Sequence, residues 1–249
     1  MKPVVVIPAR YASSRLPGKM LREIDGIPLI VRTVRQVKQA GLPLLVACDD
    51  GRVAALVDAE DVPWVMTRPD HANGTARLQE VAAFLGFPDD LIVVNVQGDE
   101  PLLPPELVNA VADALEQRPE ASVATLAARF AQDEDIAAPT AVKVVCDQNG
   151  HALYFSRAAI PFVRDAGGID PGFPYLRHIG IYAYRVAALH AYPHMAATPL
   201  EQAENLEQLR FLEHGHRIAV RIVDGIPPAG IDCEADVERM EAYLKNSQK

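Results

Sequence analysis

The chain has 249 residues, 49% of them hydrophobic, and a formal net charge of −9. That is enough apolar material for one large core, and the acidic balance excludes the broad basic surface on which nucleic-acid backbone binding rests. No apolar run approaches the roughly 18 residues of a membrane span, and Pro8 and Arg10 cut short the apolar start, so a cytoplasmic protein without a membrane partner is expected.

Residues 4–7, Val-Val-Val-Ile, form a continuous β-branched run like a strand covered on both faces of a parallel sheet. Arg10, Arg15 and Lys19 follow, and no acidic residue occurs before Glu23. Ligands of open α/β sheets sit beyond the carboxyl ends of the strands, so these cations are placed where a polyphosphate would be held. Pro28 suits the start of a helix over residues 29–40, where Leu29, Ile30, Val34 and Val37 recur at helical spacing and Gly41 ends the pattern. Strand patterns at residues 44–47, 64–66 and 91–96 then alternate with helical patterns at 52–59, 76–85 and 105–117, the last opened by Pro104 and Pro105. This alternation predicts a doubly wound α/β fold with a mostly parallel sheet.

After residue 120 the rhythm changes. Residues 123–130, 141–146 and 153–155 read as strands, and Asp147-Gln148-Asn149-Gly150 as the turn of an inserted β-hairpin, in which Asn149 and Gly150 suit positive φ. Residues 164–176 read as a long loop, 179–184 as a strand, 199 to about 214 as one helix, 218–223 as a strand and 236–245 as a terminal helix. Cys48, Cys146 and Cys233 are widely spaced, without a paired CxxC, and read as structural thiols.

The loop at residues 10–19 is not a Walker A loop, because Ser13 stands where the first Gly is required and Met20 follows Lys19. Asp99, in Gln97-Gly98-Asp99-Glu100-Pro101, ends a buried strand, where a hard cation finds carboxylate oxygen and Gly98 permits the turn. The same position also suits a carboxylate that caps the next element.

The opening Ile7-Pro8-Ala9-Arg10, with Ser13, Arg15, Pro17 and Lys19 at their spacing, resembles that of the sugar-acid cytidylyltransferases. The form Arg15-Leu16-Pro17-Gly18-Lys19 is similar to the branch that activates 3-deoxy-manno-octulosonate (KDO). The resemblance continues through Thr67 to Arg77, with Asn73 for the usual Ser and Ala76 for the usual acid, and through Gln97 to Pro101. Further matches are Ala141 to Val145, Ala152 to Arg157, Leu176 to Tyr182, Leu206 to Arg210 and Gly230 to Val237, the last without the usual Thr-Pro pair.

The resemblance implies a nucleotide-diphospho-sugar transferase-like fold forming a single domain over 1–249. Residues 1–120 would bind the nucleotide and 121–249 would bind the sugar acid and mediate homodimerisation. It assigns the nucleotide to Ala9, Arg10, Ser14, Arg15, Lys19, Gly74, Thr75 and Arg77, and catalysis to Arg10, Arg15, Lys19 and Asp99. It places Mg²⁺ on Asp99 and Asp232, and the sugar acid against Gln97, Arg157, His178, Tyr182, Glu207 and Gln208. The reaction it implies joins CTP to KDO, for lipopolysaccharide biosynthesis. Another 2-keto sugar acid, a metal-dependent glycosyltransferase and a non-catalytic nucleotide-binding module remain as alternatives. For Asp232, Glu207 and His178, a helix cap, an ion pair with Arg210 and a satisfied strand histidine are the ordinary roles.

Overall fold

A computed structural model describes residues 1–13, 15–131 and 134–247, with backbone alone at 246 and 247. β1 (Val4–Ala9) runs into the cationic loop, which ends in a 3₁₀ turn at Lys19–Leu21, followed by a two-stranded ribbon, β2 (Glu23–Ile24) and β3 (Ile27–Pro28). There follow α1 (Leu29–Lys38), β4 (Leu44–Cys48), α2 (Gly51–Asp58), β5 (Trp64–Met66), α3 (Gly74–Phe84), β6 (Ile92–Asn95), α4 (Pro105–Glu116) and β7 (Val123–Arg129). The remainder comprises β8 (Lys143–Cys146), β9 (Ala152–Ser156), β10 (Leu176–Arg185), α5 (Val186–Ala191), α6 (Pro199–Glu204), α7 (Gln208–Glu213), β11 (Ile218–Val223) and α8 (Glu234–Ser247).

The main sheet has the order β11-β7-β10-β6-β1-β4-β5, with the β8-β9 hairpin attached to β10. β5, β4, β1 and β6 are mutually parallel. β10 enters antiparallel between β6 and β7, and β11 pairs parallel to β7. Chain order turns back at β1, which has β4 on one side and β6 on the other, so the crevice beyond β1 and β6 is the switch point where such sheets bind ligands.

The β-branched run of β1 explains its central place: Val5 and Ile7 enter one core layer with Leu29, Val34 and Val108, while Val6 enters the other with Leu78, Leu189 and Leu209. Strand alternation thus feeds both faces from one segment.

Several expectations change. The helix expected from 199 to 214 is two helices, because Asn205 takes a left-handed conformation (φ 50°) and closes α6. Leu206 N–H then bonds back to Glu201, and Glu207 opens α7 facing inward. Periodicity cannot register this break, since one left-handed Asn leaves the apolar spacing on either side unaltered. β10 begins at Leu176, earlier than expected, and its ladder with β7 is irregular between Ile179 and Tyr182. In the hairpin turn only Gly150 has positive φ (80°); the Asp147 carboxylate accepts from the N–H of Asn149 and of His151, each at 2.8 Å. α5 and the β2-β3 ribbon are too short to show a period.

Candidate active site

The cationic loop is anchored from below. Tyr11 N–H donates to Asp49 Oδ1 at 2.8 Å, and the other Asp49 oxygen accepts from Arg77 Nη2 at 2.9 Å. Arg77 also donates to Thr67 Oγ1 and is buried. It lines the cavity, yet its guanidinium is committed to bracing the end of β4 against α3.

Above these anchors lies a cavity of about 300 Å³ whose walls include Arg10, Arg15, Lys19, Gly74, Asp99 and Asp232. Ala9 is a fully buried strand-end residue beneath it, packed close to Gly98. Ser14 lies outside the described residues. A Cβ on Gly98 would meet Met20 Sδ at 2.9 Å and the Pro8 carbonyl at 3.1 Å, so a residue without a side chain is required where β6 turns.

Asp99 and Asp232 come from segments far apart in sequence. Ile231 N–H donates to the Asp99 carbonyl at 2.9 Å, laying the segment before α8 across the end of β6. A Cβ on Gly230 would stand 2.7 Å from Glu100 Oε1 and 2.9 Å from the Asp99 carbonyl, so glycine permits this approach. Asp236 takes the capping role, accepting from Asp232 N–H at 2.8 Å and Cys233 N–H at 3.0 Å. The Asp232 carboxylate is thereby left to the cavity. Lys19 Nζ sits between the two acids, 2.5 Å from Asp99 Oδ2 and 3.1 Å from Asp232 Oδ1, and Arg15 Nη2 adds a contact to Asp232 Oδ1 at 3.0 Å. Burial, and then the Asp99 and Asp232 charges, push Glu100 up to about 8. Glu100 is therefore mainly protonated at neutral pH and adds little charge to this pair.

Among the described residues no group of three or more His, Cys, Asp or Glu side chains gathers to hold a metal ion. Two carboxylates converging on one point fit instead a hard dication completed by phosphate and water oxygens, as Mg²⁺ prefers.

On the loop before α3, Asn73 caps the helix by accepting from Ala76 N–H at 2.9 Å and donates to Tyr192 Oη at 2.7 Å. Gly74 lets the Gln97 amide approach to 3.1 Å of where a Cβ would stand. Thr75 is buried, with Oγ1 3.3 Å from Tyr184 Oη. His71, which also lines the cavity, is hydrogen-bonded to Glu80. It stands inside the Thr67 to Arg77 stretch, where no spacing signal sets it apart from an ordinary loop histidine.

Behind Thr75 lies a second polar group. Glu207 is half-buried beside Thr75 and Tyr192 and is pushed up from the usual carboxylate range chiefly by loss of solvent. Its Oε1 and Gln208 Nε2 are buried without hydrogen-bond partners. Arg210, the ordinary partner for Glu207, is instead taken by Glu201 through contacts of 2.6 and 2.7 Å. His178 Nε2 lies 2.9 Å from Thr125 Oγ1, and that hydroxyl is also within bonding distance of the Ile179 and Ile181 carbonyls. A hydroxyl has one hydrogen; spent on a carbonyl, it accepts from His178 Nε2–H, which leaves Nδ1 an acceptor. Burial pushes His178 down to about 3, so the ring is neutral. Tyr182 packs between His178 and Tyr184.

Gln97 borders both this first cavity and a neighbouring one of about 210 Å³, which His178 also lines. Arg157 stands apart and lines neither. Its guanidinium donates to the carbonyls of Glu204 (2.6 Å), Pro139 (3.0 Å) and Asn205 (3.3 Å). Those contacts pin the turn that delivers Glu207 and Gln208, so within this chain Arg157 is a brace. Lys143, fully buried and donating to Ala138 and Arg157 carbonyls, supports it and was not singled out from the sequence.

A family model described as cytidylyltransferase matches residues 4–218. The chain is 57% identical to the 3-deoxy-manno-octulosonate cytidylyltransferase of Dichelobacter nodosus and 48% identical to that of Acidovorax ebreus, each match covering 96% of both proteins. A solved CMP:2-keto-3-deoxy-manno-octonic acid synthetase complexed with CTP aligns with TM-score 0.90 at 41% identity, over 99% of this chain and 100% of that one. A cytidylyltransferase from Leptospira borgpetersenii, 14% identical, shares the fold with TM-score 0.63 over 99% of this chain and 87% of its own. A cation-lined cavity at the β1-β6 switch point, closed by an acid pair, and a family match over most of the chain agree: the protein belongs to the cytidylyltransferase family.

Proposed function

We infer that the chain is a 3-deoxy-manno-octulosonate cytidylyltransferase, joining CTP and KDO into CMP-KDO with release of pyrophosphate. The observation that carries this reading is the convergence of Arg15, Lys19, Asp99 and Asp232 at one end of a cavity of nucleotide size.

In this reaction the anomeric hydroxyl attacks the α-phosphorus while the bond to the β-phosphate oxygen breaks. Such a transfer asks the protein for positioning and charge neutralisation rather than for a side-chain nucleophile. Arg10, Arg15 and Lys19 hold the triphosphate and stabilise the charge that grows on departing pyrophosphate. Asp99 and Asp232 would hold Mg²⁺, which supplies charge neutralisation at the α-phosphate when bound. Gln97, the His178 Nδ1 acceptor, Tyr182, Glu207 and Gln208 orient the sugar acid, and Arg157 keeps the last two in place. The Gly74 and Thr75 backbone would contact the base.

The reading places the protein in the cytoplasm as a homodimer. Exposed Leu153, Phe162, Phe173 and Ile222 lie on β9, the loop after it and β11, and offer apolar surface to a second copy. No helix among the described residues is long and apolar enough to cross a membrane.

Pyrophosphate release, scored over CTP, UTP and ATP against KDO and N-acetylneuraminate, tests the assignment. Turnover with CTP and KDO well above every other pair is expected; preference for a different acid or nucleotide overturns it.

A further inference from the structure

The acid pair carries cations of the protein's own. Lys19 Nζ contacts Asp99 Oδ2 at 2.5 Å and Asp232 Oδ1 at 3.1 Å, and Arg15 Nη2 reaches the same Asp232 oxygen at 3.0 Å. Two protein charges thus balance two carboxylates, the charge that one divalent cation would supply. The Lys19 side chain is only 10% exposed, so bulk salt screens its contacts weakly, whereas Arg15 is 68% exposed. An ammonium group and a dication compete for the same oxygen lone pairs and repel each other, so they cannot both occupy this point.

We propose that Lys19 is a resident occupant of the divalent-cation position, and that the nucleotide triphosphate opens the position by drawing Lys19 and Arg15 onto its phosphates. This rests on the assignment of a divalent cation to Asp99 and Asp232. The polyphosphate is the stronger anion for both side chains, and transferring them leaves two carboxylates uncompensated and aimed at one point. The nucleotide-free protein therefore holds divalent cations weakly. Metal and nucleotide binding are coupled, and by thermodynamic linkage each tightens the other by the same factor.

The test is Mn²⁺ binding to the nucleotide-free protein, followed by the electron paramagnetic resonance signal of free Mn²⁺. Wild type is expected to bind weakly and Lys19→Met at least about tenfold more tightly, within the usual range of coupling factors. Adding Asp99→Asn to that variant abolishes the gain. Arg15→Met, at an exposed position that leaves the core untouched, gives a smaller gain in the same direction and decides the matter if Lys19→Met does not fold. No gain in the folded variants overturns the proposal. It is equally overturned, with the metal assignment intact, if wild type binds Mn²⁺ as tightly alone as with a non-hydrolysable CTP analogue after subtraction of Mn²⁺ held by the analogue itself. If Asp99→Asn changes Mn²⁺ binding in neither state, the metal assignment fails and the proposal with it.

Discussion

The two ends of the site are kept in opposite conditions. At the cationic-loop end, charged groups from the first loop, the end of β6 and the segment before α8 neutralise one another through Lys19, Arg15, Asp99 and Asp232. At the other end, Glu207 Oε1 and Gln208 Nε2 are buried without partners, and burial keeps the His178 ring neutral. The first arrangement is self-consistent without ligand, and binding must exchange partners. The second carries a standing cost, because a buried polar group left unpaired costs about 1–3 kcal/mol. Removing a charge at the first end should therefore harm both activity and stability, whereas removing one at the second should harm activity while relieving the fold.

The largest effect is expected from Asp99→Asn. Turnover should fall roughly 10²- to 10³-fold, the scale of losing a preorganised electrostatic element, and the melting temperature should drop because Lys19 loses its nearer partner. Pyrophosphate release and thermal unfolding measure both. Full activity at saturating Mg²⁺ would dissociate Asp99 from the metal.

Arg157→Ala comes next and separates a brace from a ligand. Loss of its donors to the Glu204, Pro139 and Asn205 carbonyls should cost about 1–3 kcal/mol of stability and raise KM for KDO while sparing KM for CTP. A KDO-selective defect without any loss of stability in urea titration would assign Arg157 to the substrate carboxylate instead.

Glu207→Gln should show the opposite pairing of effects. KM for KDO is expected to rise several-fold, on the order of 1 kcal/mol of lost hydrogen bonding, while the unfolding midpoint stays level or rises. A destabilised variant with normal KDO kinetics would make Glu207 an ordinary structural acid.

The last effect concerns pH. His178 is held down to about 3 by burial, whereas in the unfolded chain it takes a proton near 6.5. Between these values the unfolded state binds more protons, so the His178 contribution is fully present above pH 6.5 and is lost as pH falls toward 3, by at most about 1.4 kcal/mol per unit. His178→Asn should flatten that part of the slope in urea midpoints at pH 7, 6 and 5. Parallel slopes would mean that the ring is protonated in the native protein.

Local rules carried the first half of the chain. The β-branched run of β1, helical spacing in α1 and the Pro104-Pro105 start of α4 are short-range signals, and they placed β1, β4, β5 and β6 within a few residues of where they lie. The cation cluster and Asp99 were legible because strand ends in parallel sheets face ligands. Asp232 and the sugar-acid residues were named by resemblance alone.

What tertiary structure decided are the events that depend on non-local contact. Asn205 divides one apparent helix into two and turns Glu207 and Gln208 inward. Arg157, indistinguishable in sequence from a carboxylate fork, spends its donors on carbonyls. Arg77 closes on Asp49, and Lys19 settles between two acids that meet only because Gly230 lets their backbones touch. Residue types and spacing determine which groups are available, since side-chain chemistry and helix or strand period are local. Which partner each group takes is set by packing, because burial makes every unpaired charge costly and leaves few geometries in which all but the ligand-facing atoms are satisfied.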